Sequence, residues 1–260
     1  MNILNTICDY AKIRVQNAKK IMNFDEIKEK ALKVKKGDFS FYNSLKNIDF
    51  AFICECKKAS PSKGIITNEF DYLKIAKDYE SAGANAVSVL TEPKWFLGDN
   101  SYLEQISQNI TIPTLRKDFI IDSYMIYEAR LLGASAVLLI CSVLDEVKLK
   151  EYLKICDDLG ICALVEAHDE DEVKKALKVG SKIIGVNNRN LKDFSVDTSN
   201  SLNLRKLVPN DVIFIAESGI KDANDIKTLA LGGVNGALIG ESLMIAVDKT
   251  QKLKELKALL

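Results

Sequence analysis

The chain has 260 residues, 47% of them hydrophobic and 28% charged, and its 36 Lys+Arg balance 36 Asp+Glu. That length suits one large α/β barrel, and the apolar content excludes disorder and collagen-like structure. Zero net charge offers no basic field to nucleic acid, and no apolar run approaches the ~18 residues needed to cross a bilayer.

The first 48 residues are Lys-rich and read as two or three amphipathic helices. Ile7, Tyr10, Ala11, Val15 and Ala18 recur at helical spacing, and residues 24–34 repeat the pattern. Asp9 and scattered lysines stand where a signal peptide would need an apolar core, which predicts a cytoplasmic protein. From residue 50 the pattern changes. Short β-rich apolar runs fall at 50–56, 85–90, 111–116, 134–141, 161–167, 182–187, 212–217 and 236–239. Most are continuous rather than alternating, as in strands of a parallel sheet covered on both faces. Helical stretches lie between them: 71–81 before Gly83, 123–132 before Gly133, 145–159 before Gly160, 170–179 before Gly180, and 222–231 before Gly232-Gly233. Glycine just past a helix is a C-terminal stop. Eight βα units predict a (β/α)8 TIM barrel, one domain over 1–260, with residues 1–48 as a helical extension. No GxGxxG follows the first strand, which argues against a doubly wound open sheet.

In such a barrel, chemistry sits at the C-terminal strand ends. Side chains two apart share a face, so Glu55 and Lys57 point together into the barrel while Cys54 and Cys56 point out. Two charges entering a barrel interior are costly unless paired or used. Lys117, at the end of the third strand, shares parity with Leu115 and faces the mouth, either as general acid or as Schiff-base former. Glu166 is a carboxylate inside the apolar run ICALVEA and needs a partner or a function. His168, two residues on, reads as a loop or cap residue. Asn187 and Arg189 follow the sixth strand and offer neutral and cationic donors. Ser218-Gly219 and Gly240 follow the last two strands, where backbone N–H groups can approach a phosphate. Trp95, Phe96 and Phe119 could form an aromatic wall. One histidine and no CxxC pair leave no expectation of a metal, and the six cysteines read as small buried hydrophobes.

These residues sit in longer motifs: ECKKASPSKG (55–64), SVLTEPKWFLGD (88–99), PTLRKDFIID (113–122), LVEAHDEDEV (164–173), IGVNNRNLKDFSVD (184–197), AESGI (216–220) and ALIGESLM (237–244). Over nearly its whole length the chain resembles the indole-3-glycerol phosphate synthase family. The resemblance implies a cofactor-free carboxy-lyase of tryptophan biosynthesis. It would convert the small phosphorylated substrate 1-(2-carboxyphenylamino)-1-deoxyribulose 5-phosphate to indole-3-glycerol phosphate, CO2 and water. By motif position Lys117 corresponds to the general acid and Glu166 to the base of the dehydration. Lys57 would bind the anthranilate carboxylate, and Glu55 would position these groups. Asn187 and Arg189 would orient the substrate, and Ser60, Ser218, Gly219 and Gly240 match substrate and phosphate contacts. How proton transfers divide between Lys57 and Lys117 stays open, as does association with other enzymes of the pathway. The resemblance also implies that the N-terminal extension lies over the barrel mouth. Glu241 stands where some relatives carry serine, and its side chain is expected to point away from a bound phosphate.

Overall fold

A computed structural model describes residues 3–190 and 194–260; residues 191–193 of the IGVNNRNLKDFSVD motif lie outside them. Eight parallel strands close into a barrel: β1 (Ala51–Cys56), β2 (Ala86–Leu90), β3 (Thr114–Lys117), β4 (Ala136–Ile140), β5 (Cys162–Ala167), β6 (Ile183–Asn187), β7 (Ile213–Glu217) and β8 (Gly236–Ile239). Each strand pairs with its chain neighbours, and β1 closes on β8 through Ala51↔Gly236 to Cys54↔Ile239. All eight predicted strands are present. The third starts later than the pattern suggested, at Thr114, because Pro113 lacks the N–H a ladder needs. It also runs on to include Lys117, which places that side chain on the strand itself.

The barrel has two apolar shells. Inward-facing Ile53, Leu115, Leu138, Leu164, Ile215 and Leu238 fill the lumen. Outward-facing residues such as Phe52, Val87, Val165 and Phe214 pack beneath the helices. Those helices are α4 (Tyr72–Ser81), α5 (Asn100–Asn109), α6 (Tyr124–Leu131), α7 (Glu146–Leu159), α8 (Glu170–Lys178), α9 (Ser199–Arg205), α10 (Ala223–Leu231), the short α11 (Glu241–Met244) and α12 (Lys249–Lys257). Asp71, Asp145 and Asp222 are not helical, as the pattern had them, but N-caps whose carboxylates accept backbone N–H bonds of the first turn. Gly83, Gly133, Gly160 and Gly180 adopt left-handed φ, and in the Gly232-Gly233 pair only the second does.

The extension forms three helices: α1 (Ile3–Ile21), α2 (Phe24–Lys33) and α3 (Ser40–Leu45). They do not all lie over the mouth. The front of α1 reaches it, with Ile3, Leu4 and Ile7 lining the cavity there. Helix α2 opens with a capping box between Asn23 and Glu26 and packs along α6, Phe24 meeting Tyr127 edge-on. Helix α3 seals the opposite end. Phe41 and Leu45 enter the inner shell with Ala51 and Ile183, and the Tyr42 N–H meets Cys162 Sγ at 3.3 Å. Among the described residues no helix is long and apolar enough to cross a membrane. Five cysteines are buried, Cys8 is half-buried, and all six are free thiols.

Candidate active site

A cavity of about 880 Å³ opens at the C-terminal ends of the strands. Glu55 and Lys57 project into it from β1 and its end, and Lys57 Nζ donates to Glu55 Oε1 at 2.7 Å. Lys117 enters from β3, and its Nζ is ringed by carboxylates: Glu217 Oε2 at 2.7 Å, Glu55 Oε2 at 3.8 Å and Glu166 Oε2 at 3.8 Å. Glu166 also accepts from the Asn187 side-chain amide at 3.3 Å, and Ser88 Oγ donates to Glu55 at 3.3 Å. All three carboxylates are buried.

Glycine makes room for two of them. A Cβ on Gly185 would stand 2.1 Å from Glu217 Oε1, and one on Gly240 would stand 2.6 Å from Glu55 Oε1 and 3.0 Å from Lys57 Nζ. At these positions any side chain would push a charged group out of place.

The charges set one another's protonation. Burial alone would weaken the hold of Lys117 on its proton, but Glu217, Glu55 and Glu166 override it and raise the ammonium above the ordinary lysine range. Burial pushes Glu55 up, and Lys57 and Lys117 more than reverse it, so its carboxyl sits below its usual value. Glu217 is raised to about 7, first by burial and then by Glu166, against the pull of Lys117. Glu217 was not singled out in the sequence. Its signal was available: it ends the apolar run VIFIAE with the parity of Ile213 and Ile215, just as Glu166 follows Leu164.

The remaining predicted residues converge on the same cavity. Ser60, Ser218, Gly219, Gly240, Asn187 and Arg189 line it. Ser60 belongs to a small hairpin, Ala59–Ser60 against Gly64–Ile65. Ser218 and Gly219 have left-handed φ of 68° and 85°, and the Asn188 amide holds the Ser218 carbonyl at 3.1 Å. Asn187 Oδ1 accepts the Arg189 backbone N–H at 3.0 Å.

Two expectations need correction. Phe96 and Phe119 line the cavity with ring centres 6.0 Å apart, but Trp95 does not join them. It turns to α1, edge-on to Tyr10 at 5.6 Å with Lys94 over its ring. The buried carboxylate of Glu92 imposes this, accepting the N–H groups of Lys94, Trp95 and Phe96 at 2.7–3.0 Å. Glu241 does not point away from the cavity. Its carboxylate reaches Lys63 at 3.2 Å and Arg189 at 3.4 Å, because those two cations are its nearest partners at the rim. Among the described residues no group of three or more His, Cys, Asp or Glu is arranged to hold a metal ion.

A closed parallel barrel with a polar, charged cavity at its C-terminal mouth defines the class as a (β/α)8-barrel enzyme. Solved structures of that shape include 3-hexulose-6-phosphate synthase from Salmonella typhimurium, at a TM-score of 0.65 and 14% identity over 81% of this chain and 98% of that one. Another is thiamine phosphate pyrophosphorylase from Pyrococcus furiosus, at a TM-score of 0.59 and 15% identity over 84% and 96%. At such identities the likeness is one of fold alone. Sequence is more specific. The family model of indole-3-glycerol phosphate synthase matches residues 4–256. An indole-3-glycerol phosphate synthase of Ruminiclostridium cellulolyticum is 55% identical over 98% of both chains. One of Endomicrobium trichonymphae is 53% identical over 98% of this chain and 99% of that one. The chain belongs to the indole-3-glycerol phosphate synthase family, the decarboxylating lyases that form the indole ring on the way to tryptophan.

Proposed function

We propose that the cluster around Lys117 drives the family's ring closure by general acid–base catalysis, with Lys117 as acid and Glu166 as base. The observation that carries this is the ring of three buried carboxylates about Lys117 Nζ, at 2.7, 3.8 and 3.8 Å. They keep the amine protonated, so it has a proton to give when the substrate arrives. The ammonium donates to the ribulose carbonyl oxygen, the aromatic carbon bearing the carboxylate attacks the carbonyl carbon, and a C–C bond closes the ring. Loss of CO2 returns its electron pair to the ring. The new hydroxyl then takes a proton from the Lys57 ammonium, released once CO2 has departed, and leaves as water while Glu166 removes a proton from the neighbouring carbon, completing the indole. Lys57 receives the anthranilate carboxylate and is held for it by Glu55. Ser60, Ser218, Gly219 and Gly240 take the phosphate, Asn187 and Arg189 orient the hydroxyls, and Phe96 and Phe119 flank the ring. Glu217 anchors Lys117 at the centre.

The competing chemistry on the same barrel, a Schiff-base aldolase, needs Lys117 as a neutral nucleophile. Three carboxylates oppose deprotonation, which favours the acid role. The six unpaired thiols suit residence in the reducing cytoplasm.

The test is a fluorescence assay for indole-3-glycerol phosphate with the carboxyphenylamino-deoxyribulose phosphate, comparing wild type with Lys117→Ala and Glu166→Ala. Each variant should keep its fold and lose about 10²- to 10⁴-fold in kcat, the usual worth of a positioned acid or base. Near-wild-type kcat in a folded Lys117→Ala variant, or a borohydride-trapped adduct at Lys117, would overturn the assignment.

A further inference from the structure

Glu166 is held by more than Lys117 and Asn187. Its Oε1 accepts from the Asn187 amide at 3.3 Å and lies at ion-pair distance, 3.5 Å, from His168 Nε2, a buried atom with no hydrogen-bond partner, while Oε2 is the oxygen turned to Lys117. The imidazole is fixed from its other side. Nδ1 lies 3.2 Å from Glu172 Oε2, and the His168 backbone N–H donates to the same oxygen at 2.8 Å. Glu172 stands in the first turn of α8, where its own N–H is bonded by the cap Asp169 at 2.9 Å. The Asn200 amide secures the His168 carbonyl at 3.0 Å. The side chains of His168 and Glu172 are each only 18% exposed.

An ionised carboxylate only accepts, so the Nδ1 that faces Glu172 carries a hydrogen. Nε2 then presents either a hydrogen or a lone pair to Glu166. A lone pair against an ionised Oε1 would set two acceptors together in a buried place. One proton between Nε2 and Oε1 resolves the conflict. The surroundings supply it: burial would weaken the histidine's hold on a second proton, but Glu172, Glu166 and Glu217 reverse that and raise it above the ordinary histidine value.

We propose that His168 is a positioning residue for Glu166: its imidazolium, ion-paired to Oε1 through Nε2–H, and the Asn187 amide together hold Oε1, leaving Oε2 as the atom that takes the proton when water is eliminated. This rests on the reading of Glu166 as base. The arrangement survives the transfer, since a carboxylic acid protonated on Oε2 still accepts from Nε2–H through Oε1. The groups that set the imidazole's charge come from three elements: Glu166 on β5, Glu172 on α8 and Glu217 on β7, with Lys117 on β3 beyond Glu166.

The test separates ring closure from dehydration. In a single turnover, CO2 release reports the first and indole fluorescence the second. His168→Ala should release CO2 within about twofold of the wild-type rate yet form indole about tenfold more slowly, the order of loss when a reacting group is misplaced. The acid limb of the indole-forming step should move to higher pH. His168→Gln, whose amide can still donate to Oε1, should recover most of the rate. Glu172→Gln should slow the same step more mildly, and it serves as the test if the His168 variants do not fold. Equal slowing of both signals, or wild-type indole formation in His168→Ala and Glu172→Gln, would overturn the proposal. Glu166→Gln belongs in the same series: if it leaves indole formation intact, the base assignment fails, whatever His168 does. A wild type releasing neither CO2 nor indole would instead remove the function itself.

Discussion

Glu217 has its charge set most sharply by its neighbours. A glutamate free in an unfolded chain gives up its proton near 4.5, whereas burial and Glu166 raise this one to about 7 against the pull of Lys117. The folded state therefore holds that proton more tightly, and the group favours folding most below about 4.5. That contribution fades as pH rises from 4.5 through 7, where ionising Glu217 works against the fold. Glu217→Gln should accordingly gain Tm relative to wild type between pH 5 and pH 8, while losing activity because Lys117 loses its nearest counter-charge. A Tm difference that stays flat over that range would mean Glu217 titrates as an ordinary surface acid. Glu241 makes a second case. Its carboxylate occupies Lys63 and Arg189 at the rim, so Glu241→Gln frees both cations for a phosphorylated substrate. Half-exposed ion pairs are worth about 0.4–1 kcal/mol, so KM should fall about two- to fivefold; an unchanged KM would show that neither cation meets the substrate. Much of this was legible from parity alone, because a strand of period two fixes which side chains enter the lumen. Glu55, Lys57, Lys117 and Glu166 could be read that way, and Glu217 could have been. His168 and Glu241 could not. His168 takes its direction from the first turn of α8, where Glu172 holds it, and Glu241 from Lys63 and Arg189 in distant chain segments, so neither follows from strand parity.

At the scale of elements, the βα rhythm was readable because buried parallel strands are continuous apolar runs and their helices end in glycine. Gly160 was readable as a helix stop, and its φ of +70° bears that out. Its second task was not. The backbone before α3 passes directly over it: Gly37 N–H donates to the Leu159 carbonyl at 3.0 Å, and Phe39 N–H to that of Gly160 at 3.1 Å. A Cβ on Gly160 would stand 2.2 Å from the Gly37 carbonyl oxygen, and one on Gly37 would stand 2.3 Å from that of Gly160. No local pattern announces a contact between two segments so far apart in sequence. Gly160→Ala thus adds left-handed strain of about 1 kcal/mol to a backbone collision that must move α3. Chemical denaturation should register a loss of about 2–4 kcal/mol, the range of severe backbone and packing faults. A loss under about 1 kcal/mol would mean the α3 segment lifts away freely and does not seal the barrel end.

Across the whole molecule, the extension acts at both ends of the barrel, which the amphipathic spacing of residues 1–48 could not distinguish. Helix α3 closes the N-terminal end with Phe41 and Leu45, whereas α1 is bound to the catalytic face. Its buried Leu4, Ile7, Ala11 and Val15 cover that side, Lys19 pairs with Asp122 at 2.7 Å, and Arg14 grips Asp118 with two bonds of 2.7 and 3.0 Å. Asp118 is fully buried and follows Lys117 directly, with Thr91, Arg116 and the Phe119 N–H as its other partners. Burial would raise its carboxyl, and Arg14 and Arg116 hold it below its usual value. Removing Arg14 costs about 1.5–3 kcal/mol, the worth of hydrogen bonds to a buried charge, because Asp118 keeps Arg116 and Thr91. Deleting residues 1–22 would remove both the apolar cover of the mouth and this clamp, while leaving α2 on α6 and α3 in its seat. A cut reaching residue 40 would mix those effects with loss of the α3 approach, so the shorter deletion is the sharper test. It should yield a protein that still melts cooperatively, at lower temperature, with KM raised about tenfold or more, since water-excluding cover is lost from the substrate site. Arg14→Ala alone should lower the melting temperature with a smaller rise in KM, because the apolar cover stays. Unchanged kinetics in the deletion would reduce α1 to a strap on the barrel wall and leave the mouth open to solvent throughout the reaction.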